Sequence, residues 1–183
     1  AKLREEARIW IRALIKRRGI TAVFVTHDQA EALAIADQVV LLDGGRLVQS
    51  GTPEDLYERP ETLFASEFMG TNNTLSVTLR ERRAGRALVE LGGQPLWGVD
   101  RSGADGGKAG SQTKGVIRIE AVRIVDGAGE NRVPAEYETS IYLGNQFEHL
   151  FRCGDQTIRL VSDRRTGPGR HWLECPPERL WVF

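Results

Sequence analysis

Much is scarce in this sequence, and each scarcity narrows what the chain can be. Two cysteines in 183 residues, Cys153 and Cys175, are too few for a disulfide framework. No apolar run approaches the roughly 20 residues a membrane helix needs, and no basic stretch followed by an apolar core opens the chain as a signal peptide would. Charge of either sign is never in excess, because 25 basic residues balance 25 acidic ones. Nucleic acid or an anionic membrane surface is therefore not expected as the main partner. Phosphate loops of the form G-x-x-x-x-G-K-[ST] are missing as well. The expectation is a reduced, cytosolic protein, long enough for one ordinary domain and a small second one with a real core.

What is present begins with helical periodicity. Leu3, Ala7, Trp10, Ile11, Leu14 and Ile15 recur at helix spacing, with Glu5 and Glu6 early, Lys16, Arg17 and Arg18 late, and Gly19 at the C-cap position. "TAVFV", residues 21–25, reads as a buried parallel strand. A helix follows at once. Asp28 and Glu31 have the spacing of a capping box, Ala30, Leu33, Ala34 and Ala36 supply a small apolar face, and Gln29 is expected to be exposed. Residues 38–50 read as a hairpin around Asp43-Gly44-Gly45. Thr52 can cap a short helix with Pro53 at its first position and Leu56 and Tyr57 inward; Pro60 ends it and a second helix runs from Glu61 to Phe68. Glu54, Asp55, Glu58 and Glu61 read as a solvated helix face.

After Gly70 the helical period disappears. Short alternating runs take over at 75–80, 86–91, 94–99, 115–125, 133–143, 146–152, 157–162, 171–175 and 180–183, which suggests a small barrel or sandwich. The polar, glycine-rich stretch 100–115 reads as a flexible loop. His149 and Cys153, like His171 and Cys175, repeat an H-x-x-x-C spacing that could offer two nitrogens and two sulfurs to zinc. Alternation with Phe147, Phe151 and Leu173 favours an apolar interior instead, with no metal. Core packing is likewise the reading for Trp97, Tyr137, Tyr142, Phe147, Trp172 and Trp181, and a solvated edge for Arg159, Arg164, Arg165 and Arg170.

His27, between Thr26 and Asp28, stands at a strand end, the place where open α/β sheets bind ligands. There the sequence resembles a known family: "AKLREE", "VTHDQAEALAIADQVVLLDGGRLVQSGTPEDLYERP" and "FMGTNN" are similar to the last third of the ATP-binding subunit of an ABC importer. The β-rich remainder, through "IRIEAVRI", "YLGNQFEHLFRCGDQTIRLV" and "PPERLWVF", resembles the OB-like TOBE domain that follows it. One departure is Arg118-Ile119-Glu120 where relatives carry Arg-Pro-Glu, so the proline that would fix a local turn is absent. The resemblance implies an α+β fold class: a partial α/β nucleotide-binding-domain remnant, residues 1–70, followed by an all-β OB-like (TOBE) barrel domain, residues 71–183.

It also implies roles. His27 becomes the switch histidine of the parent ATPase, contacting the γ-phosphate and helping to order the attacking water, with Thr26 and Asp28 holding its turn. ATP and magnesium would belong to the intact subunit, because the phosphate loop, the Asp-Glu strand and the signature sequence are expected before Ala1. The chain is thus expected to be a C-terminal fragment, inactive alone and without a cofactor of its own. Implied partners are a second copy, through the β domain, and the membrane permease subunits, at the inner face of the cell membrane; nucleic acid is not among them. Exposed apolar surface at Trp10, Ile11 and Leu14 implies self-association. The competing reading is a regulatory OB module that binds a small oxyanion or metabolite.

Overall fold

The computed structural model describes residues 2–103 and 106–183, which divide into two compact units, Ala1–Gly70 and Thr71–Phe183. In the first, the periodic opening forms α1 (Lys2–Arg18), with basic Lys16, Arg17 and Arg18 in its last turn and a left-handed Gly19 (φ 60°) after it. The run expected as a buried strand does not become one. Residues 20–26 are irregular and exposed, with Val25 98% and Val23 89% accessible. β-branched residues favour a pleated surface only where a neighbouring strand completes the ladder, and among the described residues no strand pairs with these.

Next come α2 (Gln29–Ile35) and the hairpin β1 (Val39–Asp43) with β2 (Arg46–Gly51). Gly44 and Gly45 both have positive φ, 53° and 76°, as the two-residue turn of a tight hairpin requires. α3 (Pro53–Glu58) has a complete capping box between Thr52 and Asp55. α4 starts at Leu63, later than the periodicity suggests, because Thr62 takes the cap by accepting from the Ala65 N–H. The core is small: Leu41, Leu56, Ala65 and Met69. Gln49 stitches it, its amide donating to the Arg59 carbonyl and accepting from the Glu61 N–H, each at 3.0 Å.

Unit two has two sheets. β3 (Asn72–Arg83), β4 (Arg86–Leu91), β5 (Gln94–Asp100), β6 (Gln112–Arg118) and β12 (Leu180–Val182) close into a barrel in the order β12-β5-β4-β3-β6, with the β12–β5 pair parallel. β7 (Arg123–Val125), β8 (Arg132–Tyr142), β9 (Phe147–Cys153), β10 (Gln156–Ser162) and β11 (Arg170–Glu174) form an antiparallel sheet ordered β10-β9-β8-β11-β7. Expected strand 115–125 therefore splits in two. A turn at 119–121, closed by the Ala121 N–H on the Arg118 carbonyl at 3.0 Å, separates the parts and sends β7 to the other sheet. The expected loop 100–115 narrows to 101–111, and its residues 104 and 105 lie outside the described residues.

Both sheets line one core, running from Leu75 and Val89 in the barrel to Phe151, Leu160 and Leu173 in the sheet. Three side-chain amides join them by imitating a peptide group. Asn73 donates to the Arg159 carbonyl at 2.8 Å and accepts from the Arg159 N–H at 2.7 Å. Gln156 does the same with Ser76. Asn131, at φ 55°, accepts from the Trp97 N–H and donates to the carbonyls of Trp97 and Cys175. The backbone groups of Ser76, Trp97 and Arg159 thus gain partners from the other sheet's side of the seam. Among the described residues no helix is long and apolar enough to cross a membrane.

Candidate functional site

His27 occupies an exposed turn between the irregular run 20–26 and α2. Asp28 caps that helix, its Oδ1 accepting from the N–H groups of Ala30 (2.9 Å) and Glu31 (3.2 Å). The capping box expected with Glu31 is relayed rather than direct. The Asp28 N–H donates to Thr26 Oγ1 at 3.0 Å, and the Thr26 hydroxyl donates to Glu31 Oε2 at 2.7 Å. Thr26 is close enough to intercept the back-reaching carboxylate, so the residues on both sides of His27 are tied while its ring is left exposed. Among the described residues that ring makes no hydrogen bond or ion pair. Gln29, expected to be exposed, is half-buried, and its Oε1 accepts from the Gly70 N–H at 2.7 Å.

A row of cations on α1 backs the turn. Arg8, Arg12 and Lys16, at i, i+4 and i+8, share one helix face. Arg8 Nη2 donates to Asp28 Oδ2 at 2.7 Å and lies 3.8 Å from Glu31. Arg12 donates to the carbonyls of Ile35 and Ala36, at the far end of α2, at 2.8 and 3.0 Å. Lys16 donates to Asp37 at 2.8 Å, and this bond holds the Asp37 carboxyl below its ordinary value against the opposing effect of desolvation, with the charges of Lys16 and Arg12 adding less. Sequence reading noticed Lys16 only as a last-turn charge and passed over Arg8 and Arg12. Their spacing was the available signal.

The H-x-x-x-C pairs fall on β9 and on β11 with the residue after it, in the five-stranded sheet rather than the barrel. His149 is fully buried, with Nε2 3.1 Å from both Ser162 Oγ and the Arg164 carbonyl. His171 Nε2 lies 3.0 Å from the Gly167 carbonyl. Cys153 and Cys175 are free thiols in the core. Burial, then the neighbouring Cys153 and Glu174, pushes the Cys175 thiol up to about 12, and burial also raises Cys153. Of the aromatics expected in the core, Trp181 is buried but Tyr142 is 63% exposed. With Ser140, Phe147 and Arg165 it lines a cleft of about 360 Å³.

The closed five-stranded barrel makes unit two an OB-like β domain. Among solved structures the cytoplasmic molybdate-binding protein ModG, crystallised with molybdate bound, matches with a TM-score of 0.50 at 14% identity, over 62% of this chain and 96% of that one. At that identity the likeness is one of fold alone. Sequence relatives supply the family. The chain is 34% identical over 161 residues to a spermidine/putrescine import ATP-binding protein of Pseudomonas aeruginosa, covering 87% of its own length and 43% of the relative's. It is 37% identical over 163 residues to an Fe(3+) ions import ATP-binding protein of Rhizobium etli, covering 88% and 44%. The homologues of this chain are thus ATP-binding subunits of ABC importers, and it spans less than half the length of the curated relatives it matches. No protein-family model matches it.

Proposed function

We propose that this chain is part of the ATPase subunit of an ABC importer, in which ATP hydrolysis drives solute uptake through membrane permease subunits at the cytoplasmic face. The observation that carries the reading is identity of 34 to 37% with import ATP-binding proteins over nearly nine-tenths of the chain. Within it, residues 1–70 are the end of the nucleotide-binding domain and residues 71–183 its regulatory and dimerising β domain. Walker A, Walker B and signature motifs belong to sequence beyond this chain, and with them the main binding of ATP and magnesium.

His27 fits one part of such a site. Its ring is exposed on a turn whose flanking residues are hydrogen-bonded, and the carboxylates of Asp28 and Glu31 beside it face a guanidinium. An imidazole so held donates to a γ-phosphate oxygen and orients water without a fixed full charge. Bound nucleotide supplies the phosphoryl group and its metal the charge neutralisation; this chain's contribution is orientation at one donor. The run 22–25 would complete its ladder in the sheet of the whole domain, which accounts for exposed Val23 and Val25. ATP hydrolysis by the complete subunit tests the role: His27→Ala should lower kcat by about a hundredfold or more, and a variant that hydrolyses ATP at the normal rate rejects it.

A second reading is favoured by the cleft at Ser140, Tyr142, Phe147 and Arg165 and by the fold shared with a molybdate-binding protein. In it the β domain takes a small oxyanion and reports it to the ATPase. Calorimetry of the chain against molybdate, sulfate and phosphate decides, and silence with all three leaves association as the domain's role.

A further inference from the structure

We infer that Arg8 is a positioning residue for His27, through which α1 sets the pose and the local charge of the histidine turn; this rests on the phosphate-contact role proposed above. His27 is fixed only through its neighbours, and both belong to one ring of bonds. Asp28 uses Oδ1 to cap α2 and Oδ2 to accept from Arg8. Glu31 turns Oε1 toward the same Arg8 nitrogen and Oε2 toward the Thr26 hydroxyl, whose oxygen accepts from the Asp28 N–H. Arg8 thus contacts both carboxylates of the ring. Its side chain is 18% exposed, better shielded than an ordinary surface pair.

Two physical consequences follow from removing it. Without the guanidinium, Asp28 and Glu31 repel across one turn of a seven-residue helix. Glu31 is then free to release Thr26, and the turn loses the bond on one side of His27. The second consequence concerns charge: two unneutralised carboxylates next to the imidazole oppose a polyphosphate, and Arg8 cancels one of them. Arg12 provides the internal contrast. It comes from the same helix face and makes bonds of 2.8 and 3.0 Å, but to the carbonyls at the other end of α2, where it supports the helix with no hydrogen bond or ion pair to residues 26–31.

Two readouts test this. In the 183-residue chain, backbone ¹⁵N relaxation at His27 and Asp28 should show lost order in Arg8→Gln, partial recovery in Arg8→Lys, and wild-type order in Arg12→Gln. In the complete subunit, Arg8→Gln should lower kcat about tenfold while KM for ATP moves less than about twofold, since misplacement by a fraction of an ångström acts on the transition state. Added to His27→Ala, it should cost clearly less than it does alone, because the pose of the turn no longer matters and only the charge effect remains. Unchanged relaxation in Arg8→Gln, an equal loss of order in Arg12→Gln, or an additive loss in the double variant each overturns the inference. Normal hydrolysis by His27→Ala alone removes the reading beneath it, and does so by a separate readout.

Discussion

The two units of this chain bury their apolar residues to very different degrees. Unit two closes on itself: its barrel and sheet share one core, and its exposed large apolar side chains among the described residues are Ile141, Tyr142 and Leu143. Among its described residues unit one buries four hydrophobic side chains and leaves Leu3, Ile9, Trp10, Phe24, Val25 and Leu47 exposed. Local physics explains why it still has shape, because caps, a two-glycine turn and a row of cations act between neighbours in sequence or along one helix face. Such devices typically contribute about 1 kcal/mol each or less. A core of many side chains contributes far more. Unit one is therefore organised locally and stabilised weakly, and unit two is organised globally and stabilised strongly.

The contrast can be broken most severely in the strong unit. Phe151→Ala removes a fully buried ring at the meeting of both sheets and should cost about 4 kcal/mol in denaturant unfolding of unit two, while the fluorescence of Trp10 in unit one reports no change. Alkali should come next. The Cys175 thiol ionises near its ordinary value of 9.0 when unfolded and at about 12 when folded, so the unfolded state releases its proton first. Stability of unit two should be full below pH 9 and fall between roughly 9 and 12, by a few kcal/mol at most, and Cys175→Ala should flatten that slope. Gly98→Ala ranks third: an added Cβ meets the Leu180 carbonyl at 2.6 Å across the parallel β5–β12 pair, for about 2 kcal/mol.

Acid should act on the weak unit. The hydrogen bond from Lys16 lowers Asp37, and those from the Thr52 side chain and backbone lower Asp55. Their contributions are present above the ordinary value of 3.8 and disappear as pH falls below it through the folded values. Circular dichroism during acid titration should show helix loss before strand loss; simultaneous loss would deny the contrast. Smallest in stability is Trp10→Ser, within about 0.5 kcal/mol, yet it should reduce self-association in sedimentation if this exposed indole drives it.

How far the sequence disclosed all this depended on how far away each partner lay. β4, residues 86–91, was readable residue by residue because its alternation is complete, and the Gly44-Gly45 hairpin because its turn chemistry is local. The split of 115–125 was not, since an apolar run carries no mark at the point where a chain changes sheets. "TAVFV" misled for a related reason: its composition describes a preference that needs a neighbour to express it. At the candidate site His27, Thr26 and Asp28 were legible through their order. Arg8 was missed because its partner stands twenty residues away.

The seam of unit two has one more consequence. A backbone ladder cannot be deleted by exchanging a side chain, since every residue type except proline brings the same N–H and C=O. The amides of Asn73, Gln156 and Asn131 can be. A single nucleotide change turns Asn131 into aspartate, which faces the Trp97 and Cys175 carbonyls with an acceptor where a donor stood. The junction of barrel and sheet is therefore heritable variation waiting at three codons, adjustable one amide at a time while both sheets keep their own ladders.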